Sequence, residues 1–256
     1  MMIRRACAGT FALLASVMAV AAAACADQQY AVTGRDTFRT GNGDVRSETV
    51  YSGVQRLTIT KKNGSTTYDA RVEYDRSGDA GRQHQHASYT ATLLPSGEQK
   101  DGAGNDPDYL TVLNQPFAVQ LDAPTMRDLG HVKHAVPFDF PSPMTGATLH
   151  GTLRRLADAT VAGTRAMGIA FEAKGPLHGA LPERPGVQLA GTITMKGTAY
   201  YSYENALLLA LDATLSIDGN IDDAAQRSPL SIVYARSIRS AAGQEAARVT
   251  PAPRRT

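Results

Sequence analysis

The chain has 256 residues, of which 43% are hydrophobic and 20% charged, and its formal net charge is +2. This balance argues against nucleic acid as a partner, because phosphate binding requires clustered Lys and Arg. Both cysteines, Cys7 and Cys25, lie near the N-terminus. The rest of the chain therefore contains no disulfide, thiol nucleophile or cysteine metal site.

Residues 1–26 have the layout of a secretory signal peptide. Arg4 and Arg5 precede an apolar stretch, and polar sequence begins at Asp27. We expect cleavage after Ala26, export to the periplasm or the medium of a bacterium, and no transmembrane span in the mature protein. Without the two arginines, 24 Lys and Arg balance 24 Asp and Glu.

A second processing route remains open at the same position. Three alanines before Cys25 resemble a lipobox in which Ala replaces the usual Leu. On that route Cys25 carries a lipid anchor, and the protein is an outer-membrane lipoprotein.

Alternating apolar and polar residues predict β-strands from Tyr30 onward, because side chains of a strand alternate between its two faces. Clear examples are residues 68–75, 87–93 and 167–173. Turn residues such as Asn63-Gly64 separate these segments. The pattern predicts about eleven strands, each with one apolar face.

The pattern loosens between Asp101 and Pro143. Here the sequence predicts short helices at Pro107–Leu113 and Ala123–Leu129. The closely spaced prolines from Pro137 to Pro143 place that segment at a sheet edge, since proline lacks the N–H that a central strand donates.

Residues 192–218 have the same period of two and predict a hairpin broken at Ser202–Asn205. Ala and Leu keep a helix open as the alternative for Asn205–Leu211. Asp218-Gly219-Asn220 predicts the next turn.

We predict an all-β fold: a long-stranded, curved antiparallel sheet or half-open barrel with one or two short helices packed against it. Residues 27–238 form one domain, and residues 239–256 form a disordered basic tail. This architecture is similar to that of lipoprotein carriers of the bacterial periplasm, although no motif residue carries the similarity.

Few residues point to chemistry. His84 and His86 are the best metal candidates, because a spacing of two puts both on one strand face, but no third ligand follows by spacing. The Asp101–Asp108 loop does not match a calcium motif. His131, His134, Asp139 and Ser142 offer triad residue types without a recognised nucleophile motif. We therefore expect no metal, no cofactor and no catalysis.

The apolar faces carry the functional hypothesis. Long curved strands lined by Tyr, Met and Leu can enclose an apolar or amphiphilic small molecule. The predicted ligand-binding residues are Met167, Ile169, Phe171, Ile193, Met195, Tyr201, Leu207, Leu209 and Leu211. A structural or protein-interaction module of the cell envelope is the alternative, and a hydrolase of unrecognised type is the third hypothesis. The sequence leaves the oligomeric state open.

Overall fold

The computed structural model describes residues 24–40, 44–94, 99–104, 123–141, 148–181, 184–223 and 226–241. These residues form twelve strands and one helix. In chain order the elements are β1 (Ala24–Thr40), β2 (Val45–Lys62), β3 (Ser65–Gly78), β4 (Gly81–Leu93), β5 (Gln99–Gly104), α1 (Ala123–His131), β6 (Val136–Pro141), β7 (Thr148–Arg155), β8 (Ala159–Val161), β9 (Thr164–Leu181), β10 (Arg184–Ser202), β11 (Leu208–Asp223) and β12 (Gln226–Ser240).

All strands belong to one antiparallel sheet in the order β5-β4-β3-β2-β1-β12-β11-β10-β9-β7-β6, with β8 beside β9. The first and last strands pair at its centre, from Tyr30 opposite Ser240 to Thr40 opposite Leu230. β5 and β6 are the two end strands of the described sheet. They do not pair with each other, so the sheet is open rather than closed into a barrel. The predicted all-β fold is confirmed.

The sheet curves around its apolar face. Burial raises the pKa of Tyr201 in β10, and the nearby Tyr30 of β1 and Tyr68 of β3 contribute to the shift. In a flat sheet β10 and β3 would be five steps, or roughly 24 Å, apart. All three tyrosines are nevertheless buried in one core cluster, and the Tyr30 hydroxyl of β1 donates to the Leu208 carbonyl oxygen of β11 at 3.0 Å, so the apolar face folds toward itself.

The hairpin predicted at residues 192–218 is confirmed, but its arms are longer than the pattern indicates. β10 and β11 pair from Gln188–Asp222 to Tyr201–Leu208, with a register shift at Tyr200. The alternative helix at Asn205–Leu211 is wrong, because a turn at residues 203–205 leads directly into β11.

The predicted turn at Asp218-Gly219-Asn220 is also wrong, since these residues lie within β11. Gly219 faces Gly191 of β10, and a Cβ on Gly219 would lie 2.4 Å from the carbonyl oxygen of Ala190. The glycine permits close approach of two strands here. The Asn63-Gly64 turn forms as predicted, and both residues have positive φ angles of 51° and 78°.

The helix predicted at Ala123–Leu129 is confirmed as α1, whereas Pro107–Leu113 lies outside the described residues. The Arg155 guanidinium ties α1 to β7 by donating to the Gly130 carbonyl oxygen at 2.6 Å. Pro137 lies in β6 at the sheet edge, as its missing N–H predicts.

The first and last described strands extend slightly beyond residues 27–238. β12 includes Arg239 and Ser240, because they pair with Ala31 and Tyr30 of β1, and Arg239 Nη2 donates to both carboxylate oxygens of Asp212 on β11. β1 begins at Ala24, before the expected cleavage point, and residues 242–256 lie outside the described residues.

Candidate functional site

The predicted ligand-binding residues lie together on the apolar face of β9, β10 and β11. Six of them are between 0% and 2% exposed: Met167, Ile169, Ile193, Met195, Tyr201 and Leu211. Phe171 is 6% exposed and Leu209 is 7% exposed, whereas Leu207 precedes β11 and is partly buried. Because of the register shift, Leu208 rather than Leu209 pairs with Tyr201. These side chains are packed as a core.

A depression of about 880 Å³ crosses the sheet elsewhere, which is a size that suits a small-molecule ligand. We call it the transverse groove. It is lined by residues of β7, β9, β10, β11, β12, β1 and β2, which are consecutive neighbours in the sheet. Six steps between these strands span roughly 29 Å. The groove is therefore elongated and runs across the strands.

The lining residues form three rows in register. The middle row is Phe171, Gly197, Ala213, Arg236, Gly34 and Tyr51, which are consecutive partners across the sheet. The first flanking row is Thr152, Glu172, Lys196, Thr214, Ala235, Arg35 and Val50. The second is Arg154, Ala170, Thr198, Asp212, Ser237, Thr33 and Ser52.

The groove lies on the polar face of the sheet. Strand side chains alternate, so the flanking rows point away from the apolar face. From β7 the groove is lined by Thr152 and Arg154, on either side of the buried Leu153. Arg236 contributes only backbone, because its side chain is 0% exposed. Of the nine predicted ligand-binding residues, only Phe171 lines the groove.

The floor and the walls of the groove differ in chemistry. The floor is the backbone of the middle row, whose side chains point to the apolar face, and Ala170, Ala235 and Val50 of the flanking rows add apolar side chains beside it. Hydroxyl groups dominate the walls: Thr33, Ser52, Thr152, Thr198, Thr214 and Ser237. The surface offers apolar contact and hydrogen-bonding groups along one line.

The charged residues of the groove fall into two groups. Arg35 pairs with Glu48 at 3.4 Å, and Asp212 pairs with Arg239 at 2.6 Å. At the other end, Arg154, Glu172 and Lys196 are exposed, and none has an ion-pair partner among the described residues. Two cations and one carboxylate thus remain available on β7, β9 and β10.

Beneath the groove floor, Arg236 forms an ion pair with Asp36. The same Nη1 atom donates to the Ala235 carbonyl oxygen at 2.7 Å, and the guanidinium lies 5.1 Å from the Tyr51 ring centre. Burial and Asp36 together raise the pKa of Tyr51. Gly34 provides the room, since a Cβ there would lie 2.9 Å from the arginine side chain.

The histidine pair predicted on one strand face is present on β4. The ring centres of His84 and His86 are 4.9 Å apart, and His84 Nδ1 lies 3.1 Å from Asp75 Oδ1. Hydrogen bonds from Arg82 and His84 hold the pKa of Asp75 below its ordinary value. In the described part of the chain, no group of three or more His, Cys, Asp and Glu residues is arranged to hold a metal.

Among the described residues, those considered for a catalytic triad do not come together. Asp139 contacts His150 at 2.8 Å rather than His131 or His134, and both partners are more than 60% exposed. A catalytic pair of this kind normally lies in a cleft. Ser142 and the second half of the acidic loop, residues 105–108, lie outside the described residues.

The groove was missed because its signal is spread along the whole chain. Gly34, Gly197 and Ala213 come into one row only after the register of the four strands β10, β11, β12 and β1 is known. Comparison of the sequence with models of known families and with curated proteins gives no match. Among the described helices, none has the length and apolar character to cross a membrane.

Proposed function

We propose that this protein is an exported, non-enzymatic protein of the bacterial cell envelope that binds an amphiphilic small molecule in the transverse groove. The groove itself carries the proposal. Its volume of about 880 Å³, the apolar side chains of Ala170, Ala235 and Val50, and its hydroxyl-lined walls match an elongated molecule with one apolar and one polar part.

The proposal moves the ligand from the apolar face to the polar face. A ligand on the apolar face would have to displace side chains such as Met195 and Ile193, which are 1% and 0% exposed. Closely packed interiors resist such displacement, because lost contacts are not replaced until the ligand is bound. A ligand in the groove requires no change in the core.

Binding is tested by filling the groove. Ala235 lines it, whereas Val233, two residues earlier on the same face of β12, does not. We expect Ala235→Phe to weaken binding of dodecyl phosphate at least tenfold in isothermal titration calorimetry below the micelle concentration. Val233→Phe is the matched control and should bind like the wild type. Equal binding by both variants would place the ligand elsewhere.

If the purified mature protein binds no amphiphile, the structural or protein-interaction module replaces this proposal. The described part of the sheet has an edge suited to that role. β4 pairs with β5 only between Tyr89 and Leu93, so residues 81–88 leave one edge free of a described strand. A free edge accepts an added strand from a partner.

Export is tested separately by the intact mass of the mature protein. We expect a chain that begins at Asp27, which retains the β1 residues from Tyr30 onward that pair with β12. A diacylated N-terminal Cys25 would instead establish a lipid anchor. In either case the mature protein retains every residue that lines the groove, because the first of them is Thr33.

A further inference from the structure

We propose that the ligand of the transverse groove is an anionic amphiphile whose charged head group lies at the end formed by β7, β9 and β10. This inference rests on the proposed function, because it names the ligand class of the same groove. The distribution of paired and unpaired charges along the groove supports it.

The charges in the part of the groove formed by β11, β12 and β1 already have ion-pair partners. Arg35 is held by Glu48, and the Asp212 carboxylate accepts two hydrogen bonds from Arg239 at 2.8 and 2.6 Å. A ligand head group there would have to compete with an existing partner. Such competition removes most of the gain from a new ion pair.

The β7–β9–β10 end is different. Glu172 is opposite both Thr152 and Lys196 in register, and Arg154 is the next residue on the same face of β7. One carboxylate therefore lies between two cations, none of which has a partner among the described residues. The local charge is one positive unit in excess.

An anion at this end complements that excess charge. Phosphate, sulfate and carboxylate oxygens accept hydrogen bonds from Arg and Lys, and Arg154 presents a planar fork that suits two oxygens at once. The hydroxyls of Thr152 and Thr198 lie in the adjoining walls. The apolar tail then extends from Ala170 along the floor of the groove to Ala235 on β12.

The experiment compares two probes with the same chain, dodecyl phosphate and dodecyl glucoside, by isothermal titration calorimetry below their micelle concentrations. We expect the wild type to bind the phosphate about tenfold more tightly at low salt. Lys196→Gln and Arg154→Gln should each lower that preference about threefold. Glu172→Gln should raise it, because it removes the competing carboxylate.

Arg35→Gln is the matched control, since it removes a groove arginine that already has a partner, and the preference should be unchanged. These side chains are exposed, so the variants should fold. Equal binding of both probes would overturn the anionic head group but leave the proposed function intact. Binding of neither probe would overturn the proposed function itself. If only Arg35→Gln lost the preference for dodecyl phosphate, the head group would lie at the β1 end of the groove, and the proposed position would be overturned.

Discussion

The buried ion pair beneath the groove gives the sharpest test of the fold. The Asp36 carboxylate is the only anionic partner recorded for Arg236 among the described residues, and the Arg236 side chain is 0% exposed. In Asp36→Asn the guanidinium stays buried with only neutral acceptors, such as the Ala235 carbonyl oxygen. Removing one partner of a buried pair costs about 3–5 kcal/mol, because the remaining charge cannot reach water.

The same strand supplies the control. Arg239 and Asp212 form a pair of similar geometry, but their side chains are 44% and 54% exposed. Asp212→Asn should therefore cost about 1 kcal/mol or less, since water and salt already screen the charges. Urea unfolding at pH 7, followed by circular dichroism, measures the free energy of unfolding of both variants.

A third variant separates the buried charge from the lost contact. Arg236→Met in the Asp36→Asn background removes the unpaired charge and leaves an apolar side chain over Gly34. We expect this double variant to be more stable than Asp36→Asn alone. Two of the guanidinium nitrogens, Nε and Nη2, already lack hydrogen-bond partners, so the arginine gains little from its site. Equal losses in Asp36→Asn and Asp212→Asn would refute this reasoning.

Three further predictions concern other parts of the sheet. Hydrogen bonds from Tyr203, Arg165 and Arg155 hold the pKa of Asp158 below its ordinary value, so Asp158→Asn should destabilise the protein at pH 7 in urea unfolding. The difference from wild type should shrink as the pH falls below about 4, and a pH-independent difference would contradict the charge argument. Gly53→Ala should cost about 1–3 kcal/mol of unfolding free energy, because its Cβ would lie 2.4 Å from the Glu73 carbonyl oxygen, whereas Gly179→Ala meets nothing within 4 Å and serves as the control. Burial raises the pKa of Tyr201, so its contribution to the free energy of unfolding is fully present below pH 10 and decreases as the pH rises above 10. An ultraviolet titration should show that this tyrosine ionises only when the protein unfolds.

Local structure was predictable wherever one short segment determines it. The period of two identifies the strands, because each has one face against the core and one in water. Asn63-Gly64 predicts its own turn, since both residues tolerate positive φ. Asp218-Gly219-Asn220 has similar residue types but lies within β11, where Gly219 permits close approach of β10. This role becomes clear only when Gly219 is seen opposite Gly191.

Long-range pairing was not predictable from these patterns. Asp36 and Arg236 are 200 positions apart, yet their strands are neighbours at the centre of the sheet. Because the register shifts after Tyr200, Leu208 is opposite Tyr201, where an uninterrupted register would place Leu209. The candidate site depends on both kinds of information, because its floor combines residues from strands that are distant in sequence.

The central pairing of β1 with β12 determines when a growing chain can complete this fold. β1 to β5 form one run of neighbouring strands and β6 to β12 another, and among the described strands the two runs pair only along the β1–β12 seam. Until β12 has emerged, the outer side of β1 lacks its partner, and an unpaired strand edge invites association with other chains. Closing a loop of about 200 residues also costs roughly 5 kcal/mol of chain entropy. Formation of the seam is therefore the step at which folding and aggregation compete, and a chain truncated before Gln226 would lack the strand that pairs the two runs.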